Sequence, residues 1–340
     1  MDVAVAQTLE KIPPKPSPVD VLEGLIRDDL HAVNRLIVER MDSHVPLIPT
    51  LAGYLIQSGG KRLRPMLTLA GARLCGYQGV DHIKLAATVE FIHTATLLHD
   101  DVVDESSLRR GQSSANEVWG NKASVLVGDF LFSRAFNLMV EVGDLKILDV
   151  LSTASSVIAE GEVMQLANTA NIDASEQIYL DIVSSKTAAL FAAAAQVGAL
   201  VAGQDTAQEI ALERFGRNLG IAFQLVDDAL DYMGEQQELG KTIGDDFREC
   251  KCTLPVILAF ADGSDDERLF WRRTIEQGEQ SSRDLDQAVS ILKRHNALDR
   301  TLDRARVYVN QARERLMVFP SSPLRQSLVD VLDFCVDRAF

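Results

Sequence analysis

The sequence predicts an all-α protein. Three observations lead there. Apolar residues make up 46% of the 340 residues but aromatics only 6%, so packing must rest on Ala, Leu and Val. Long runs repeat their apolar residues at helical period and contain few Gly or Pro. Two of these runs end in the same acidic pattern, D-D-x-x-D, at Asp100–Asp104 and again at Asp227–Asp231.

Length alone suggests about two domains, yet no linker or composition break divides the chain after residue 20. The expected organisation is a flexible N-terminal arm, residues 1–17, and a single all-α domain, residues 18–340. Pro13, Pro14, Pro16 and Pro18 mark the arm. Ser17-Pro18 reads as an N-cap followed by Pro at the first helical position. A first helix is expected from Val19 to about Met41, and a second from Leu47 to Gln57. Pro65 to Cys75, Asp81 to Asp104, Ser124 to Val142 and Leu145 to Asn168 follow. The run Thr187 to Gly203 is rich in Ala and approaches a membrane span in length. Ala is only weakly apolar, so a buried core helix is the better reading. Gln208 to Met233 carries the second acidic motif. Beyond Leu254 the chain reads as further helices.

The acidic motifs carry the chemistry. Asp100 and Asp104 are one turn apart and share a face. Asp101 lies about 100° round from Asp100. Such like charges destabilise an isolated helix, and a divalent cation bound through oxygen, Mg²⁺ above all, compensates them. One cluster would suit a solvated helix end as well. Two of identical spacing suit a clamp around a metal-bound diphosphate. Lys61-Arg62-Leu63-Arg64-Pro65 follows a Gly pair and opens a helix, which makes a phosphate site or a basic surface turn. Lys241 and Lys251 sit in a polar, Gly-containing segment, Gly234 to Lys251, beside the second motif, which reads as a lid or as a charged surface loop. His93 lies about 20° from Asp100 on the wheel and faces the site, whereas His99 lies about 100° away and reads as structural.

Composition sets limits. The net charge of −15 argues against a nucleic-acid backbone as partner. The four Cys form no C-x-x-C pair, so a zinc site is not expected, and their usage fits a reducing, cytoplasmic setting. The N-terminus lacks the pattern of a secretory signal, and no transmembrane segment is expected. A lipophilic product would bring the enzyme to a membrane surface.

The motifs Gly59–Pro65, Leu98–Asp104 with Arg109-Arg110-Gly111, Gly161-Glu162, Lys186-Thr187, Gln224–Asp228 and Gly240-Lys241 occur in that order. The set resembles the trans-prenyl diphosphate synthases, the polyprenyl synthetase family, from about residue 19 to the end. The resemblance is strongest to long-chain bacterial octaprenyl and decaprenyl diphosphate synthases. It implies an antiparallel helix bundle around a deep central cavity, usually a homodimer. It implies that Asp100 and Asp104, with Asp227 and Asp231, hold Mg²⁺ on an allylic diphosphate, supported by Asp101 and Asp228. Lys61, Arg64, His93 and Arg110 should hold isopentenyl diphosphate. Arg109, Lys186, Thr187, Gln224, Lys241 and Lys251 should contact the allylic substrate, and Lys186 joins the aspartates as a catalytic group. Cys250 stands where close relatives usually carry Gly. If Gly serves a positive-φ turn there, Cys strains the turn that carries Lys251.

Product length is expected from Ala95 and Thr96, both small. In this family bulky residues at those positions close the channel of short-chain enzymes. The wheel places Thr96 about 40° from Asp100 and Ala95 about 140° away. The expected product is octaprenyl to decaprenyl diphosphate, suited to a quinone side chain. Two alternatives stand beside a long-chain synthase. A medium-chain synthase would differ in product, and a non-catalytic regulatory subunit should lack an acidic motif or the basic site. A terpene cyclase would not need the basic Gly59–Pro65 site.

Overall fold

A computed structural model describes residues 16–57, 61–109, 111–233 and 244–337. The all-α expectation holds. The first helices are α1 (Pro18–Leu25), α2 (Arg27–Arg40), α3 (Leu47–Gln57), α4 (Leu63–Leu74) and α5 (Asp81–Val103). A two-stranded antiparallel hairpin, β1 (Leu108–Arg109) with β2 (Gln112–Ser113), breaks the helical series. Then come α6 (Ala115–Trp119), α7 (Asn121–Val142), α8 (Leu145–Ala167), α9 (Glu176–Val183), a π-turn at Ser184–Ala188, α10 (Ala189–Val201) and α11 (Thr206–Met233). The remainder is α12 (Asp245–Arg248), α13 (Leu254–Asp262), α14 (Asp265–Trp271), a second π-turn at Arg272–Glu276, α15 (Asp284–Arg294), α16 (Ala297–Leu316) and α17 (Pro323–Asp337).

Ser17 caps α1 as the sequence suggests. Its side chain accepts from the Asp20 N–H, and Asp20 accepts from the Ser17 N–H. The expected single helix from Val19 to Met41 is instead two. Ile26 leaves helical geometry at φ −122°, ψ 20°, two residues after Gly24, and buries its side chain at the break. Gly lowers the cost of ending a helix there.

One apolar cluster of buried residues runs from Val19 to Val336. The Ala-rich α10 sits in it, packed against α4, α5, α8 and α11. Its residues are buried save Gln196 and Val201, which agrees with a core helix. Small residues make this packing close. A Cβ on Gly220 of α11 would lie 2.7 Å from Ala188 Cα, and one on Gly216 would collide with the Phe191 carbonyl. These pairings run in opposite directions along the sequence, so α10 and α11 are antiparallel. α7 and the segment Glu176–Val201 are long and apolar enough to cross a membrane by length and composition, and more than half of the second is buried in the protein.

A polar cluster fixes the C-terminal helices. Glu267 accepts from the Ser264 N–H at 2.9 Å and meets His295 Nε2 at 2.9 Å, and Arg294 donates to it as well. The Ser264 backbone bond first, then His295 and Arg294, hold its carboxyl down at about 2 against the cost of burial. A carboxylate depressed in this way stabilises the fold above its unfolded pKa, and that contribution disappears as pH falls through the folded value. Glu267→Gln should therefore melt a few degrees below wild type at pH 7, and the gap should close between about pH 4.5 and pH 2. Thermal melts across that range check this, and a pH-independent gap would contradict the assignment.

Candidate active site

The first acidic motif ends α5. Asp104 is the residue at which the helix stops, and its N–H still donates to the Asp100 carbonyl at 2.8 Å. Asp101 turns inward and is buried. Arg109 reaches its Oδ1 with Nε at 2.8 Å and Nη2 at 2.6 Å, which pins the hairpin over the helix end. Arg109 thus stands at the mouth, engaged by Asp101.

Lys186 arrives from the other side. The π-turn Ser184–Ala188 carries it, and such turns recur at functional sites. Gly161 lets α8 approach, because a Cβ there would lie 2.7 Å from the Lys186 nitrogen. The Lys186 ammonium sits 2.6 Å from Glu162 Oε2 and 3.9 Å from Asp100 Oδ2. Burial pushes Asp100 up to about 7. Lys186 opposes that push, and the neighbouring Glu162 and Asp104 charges add to it.

The second motif is held by neutral donors. Tyr179 donates to Asp228 Oδ2 at 2.5 Å, and Gln224 Nε2 donates to Oδ1 at 2.7 Å. Thr187 in turn donates to Gln224 Oε1 at 2.9 Å. Burial raises Asp228 to about 7 despite these bonds. Asp231 does something the sequence did not suggest. Its two oxygens accept from the N–H groups of Asp245 and Asp246 at 3.2 and 3.1 Å, so it caps the short α12. Asp246 is pushed well above the usual carboxylate range by burial, with Asp228 and Asp231 adding to the effect.

The chain leaving α12 closes the loop between the motifs. Lys251 lies 3.3 Å from Asp104 Oδ2 and 2.5 Å from Glu249. Burial works to lower its pKa, but Asp104 and Glu249 outweigh that and hold the ammonium above its ordinary value. Cys250 adopts φ +54°, the left-handed conformation that Gly takes without strain. Its thiol accepts from Gln280 Nε2 at 3.5 Å, and its carbonyl accepts from Ala170 N–H at 3.2 Å. The turn is formed with Cys, and Lys251 still meets Asp104.

A cleft opens between these elements, with Gln165, Lys186, Thr187, Gln224, Asp228 and Lys251 in its lining. The basic site lies at the head of α4. Arg64 Nη1 is 3.1 Å from His93 Nε2, and its guanidinium stacks 4.3 Å from the Phe191 ring. Lys61 lies 5.1 Å from the Phe334 ring, and Arg62 pairs with Glu90. Arg64 and His93 thus meet between α4 and α5, whereas Lys61 is placed against the C-terminal helix α17. His99 contacts the Val125 carbonyl and packs against Gly128 of α7, a structural position. Thr96 is half-buried and bonds the His93 carbonyl, whereas Ala95 is 0% exposed in the core. Arg110 and Lys241 lie outside the described residues.

Sequence reasoning passed over Tyr179 and Asp246. Tyr179 precedes Lys186 by seven residues, about two helical turns, and that spacing was the available signal. Asp246 was visible only as part of a charged loop.

The Polyprenyl synthetase family profile matches residues 45–292. This chain belongs to the polyprenyl synthetase family. Among its relatives in the family, the octaprenyl diphosphate synthase of Haemophilus influenzae is 45% identical, covering 95% of this chain and 98% of that protein. A decaprenyl diphosphate synthase structure from Rhodobacter capsulatus is 53% identical with a TM-score of 0.92, covering 95% of this chain and 100% of that one. A Caulobacter crescentus polyprenyl synthase, complexed with calcium and isoprenyl diphosphate, is 52% identical with a TM-score of 0.92, covering 96% and 100%. The shared architecture is the all-α isoprenoid synthase fold.

The polyprenyl synthetase site suits a hard divalent cation. Its acidic donors are carboxylate oxygens, and Asp100, raised chiefly by burial, also feels the added charges of Glu162 and Asp104. Among the described residues no three acidic, His or Cys side chains converge as a ready-made metal site. Partial ligation, one or two carboxylates with phosphate oxygens completing the shell, is the mode that Mg²⁺ favours.

The capping role of Asp231 is directly testable. Asp231→Ala removes a cap worth about 1 kcal/mol. Amide exchange at Asp245 and Asp246 should then accelerate by roughly fivefold in the protein without added metal. Unchanged exchange at both amides would show that Asp231 does not hold α12.

Proposed function

We propose that this chain is a long-chain all-trans polyprenyl diphosphate synthase. It condenses isopentenyl diphosphate successively onto an allylic diphosphate, with farnesyl diphosphate as primer, and stops between the octaprenyl and decaprenyl products. The observation that carries this reading is the meeting of both acidic motifs at one mouth. Lys251 joins Asp104 to the segment that Asp231 caps, and Lys186 stands beside Asp100. Octaprenyl and decaprenyl synthases among the relatives support the length class.

The chemistry follows from charge and position. Bound Mg²⁺ would be held by Asp100, Asp104 and Asp227 and would supply charge neutralisation for the allylic diphosphate. Lys186, Thr187, Gln224 and Lys251 orient that diphosphate and stabilise charge as it departs. The allylic C–O bond breaks with its electron pair going to the diphosphate. Lys61, Arg64 and His93 hold isopentenyl diphosphate so that its double bond lies against the allylic carbon and forms the new C–C bond. A proton is then lost to the released pyrophosphate, which restores a double bond without a side-chain base.

The remaining expectations enter here. Asp231 would join Asp100, Asp104 and Asp227 in holding bound Mg²⁺ by releasing the α12 amides it now accepts from. Residues 18–340 act as one catalytic unit in the cytoplasm, and the product serves a quinone side chain. A homodimer is supported by the exposed apolar residues of α7, Leu126 at 67% and Val140 at 68%, with Val125 and Phe136 beside them. An apolar face of this kind on a helix marks an interaction site.

Thr96 is the sharper length determinant on this geometry. It is half-buried, while Ala95 is enclosed, so a ring at Ala95 must displace packed neighbours. Wild-type protein given isopentenyl and farnesyl diphosphates should yield octaprenyl to decaprenyl products by mass analysis. Thr96→Phe, given isopentenyl diphosphate and the shorter geranyl diphosphate primer, should release farnesyl or geranylgeranyl diphosphate, with turnover within roughly tenfold of wild type. An active Thr96→Phe variant that still makes the full-length product would place the tunnel elsewhere.

A further inference from the structure

Tyr179 lies in none of the motifs, yet it touches the second acidic motif. Its ring is 6% exposed, it lines the cleft, and its hydroxyl donates to Asp228 Oδ2 at 2.5 Å. From there a directed chain of hydrogen bonds leads back to the proposed allylic site. Gln224 Nε2 donates to Asp228 Oδ1, and Thr187 donates to Gln224 Oε1.

The direction of that chain is set at Asp228. Both Asp228 oxygens accept, one from Tyr179 and one from the Gln224 amide nitrogen, whereas an amide can present either its oxygen or its NH₂. With Asp228 fixed beside it, Gln224 must turn its NH₂ toward the carboxylate and its oxygen toward Thr187. The amide nitrogen carries two hydrogens. One goes to Asp228, and the other is available as a donor in a cleft lined by Lys186 and Lys251.

We propose that Tyr179 is a positioning residue for the allylic diphosphate, acting through Asp228 to fix the direction in which the Gln224 amide donates. The inference rests on the synthase reading above. Without the Tyr179 hydroxyl, Oδ2 of a buried carboxylate loses its donor. Asp228 then turns to recover one, and Gln224 loses its single orientation. The isopentenyl site, built from Lys61, Arg64 and His93, is not part of this chain.

The test uses the full-length protein with Mg²⁺ and both substrates. Tyr179→Phe should raise the KM for farnesyl diphosphate about tenfold, the loss expected of one hydrogen bond to a charged group. The KM for isopentenyl diphosphate should stay within about twofold. In an Asp228→Asn background, Tyr179→Phe should change the allylic KM by less than about twofold, because the residue acts through that carboxylate. Equal rises in both KM values, unchanged kinetics beside a lowered melting temperature, or additive effects in the double variant would each overturn the proposal. Should Tyr179→Phe fail to fold, 3-fluorotyrosine at position 179 keeps the ring and changes only the donor. The allylic KM should then move by about twofold or more with the isopentenyl KM fixed, and no movement overturns the proposal. If wild-type protein makes no prenyl product from the two diphosphates, the synthase reading fails instead.

Discussion

Like charge crowded at one mouth is the constraint on which this structure depends. Asp228 and Asp246 line the cleft, Asp100 and Asp104 meet its Lys186 and Lys251, and burial lifts Asp100 and Asp228 to about 7. Carboxylates so placed repel one another unless donors or cations answer each one. The fold supplies different answers. Arg109 takes Asp101, Lys251 takes Asp104, and Lys186 stands between Glu162 and Asp100. Tyr179 and Gln224 satisfy Asp228 without adding charge, and the N–H groups of α12 satisfy Asp231. These answers leave the pocket short of positive charge, which is the condition for taking up a divalent cation with a diphosphate.

Close backbone packing makes those answers possible. Gly161 brings α8 against the Lys186 turn, and Gly216 with Gly220 brings α11 against α10. The π-turn at Ser184–Ala188 then aims Lys186 and Thr187 at opposite partners, Glu162 and Gln224. Larger residues at these glycines would separate the helices and move the cations away from the carboxylates. The Ala-rich composition that first signalled a helical core is therefore also what brings the site together.

Much of the fold was legible because helical period and Gly or Pro boundaries are local signals. α3, α5, α8 and α11 begin and end within a few residues of the expected places. The break at Ile26 was not legible, since the apolar period continues through it and only tertiary burial of Ile26 decides the bend. The π-turn at Ser184–Ala188 was likewise invisible, because it packs against Gly161, distant in sequence, whereas the hairpin after α5 is local but its two strands are too short to show an alternating pattern. At the site, repeated D-D-x-x-D spacing revealed the acidic motifs, and cation-rich turns revealed Lys61, Arg64 and Lys186. Roles within the motifs were harder. Asp231 caps α12 and Asp228 takes a tyrosine donor, and neither partner can be read from spacing along one helix. Cys250 shows the reverse case. The expected positive-φ turn is present at +54°, and a thiol contact with Gln280 accompanies it.

The central claim is that the two acidic motifs act together on one metal-bound diphosphate. Turnover of isopentenyl and farnesyl diphosphates by Asp227→Ala, measured with Mg²⁺ present and with helicity followed by circular dichroism, tests it most directly. The account predicts a fall of roughly a thousandfold or more with helicity nearly unchanged, because Asp227 is asked for charge stabilisation and not for packing. Turnover near the wild-type rate in the folded variant would contradict it.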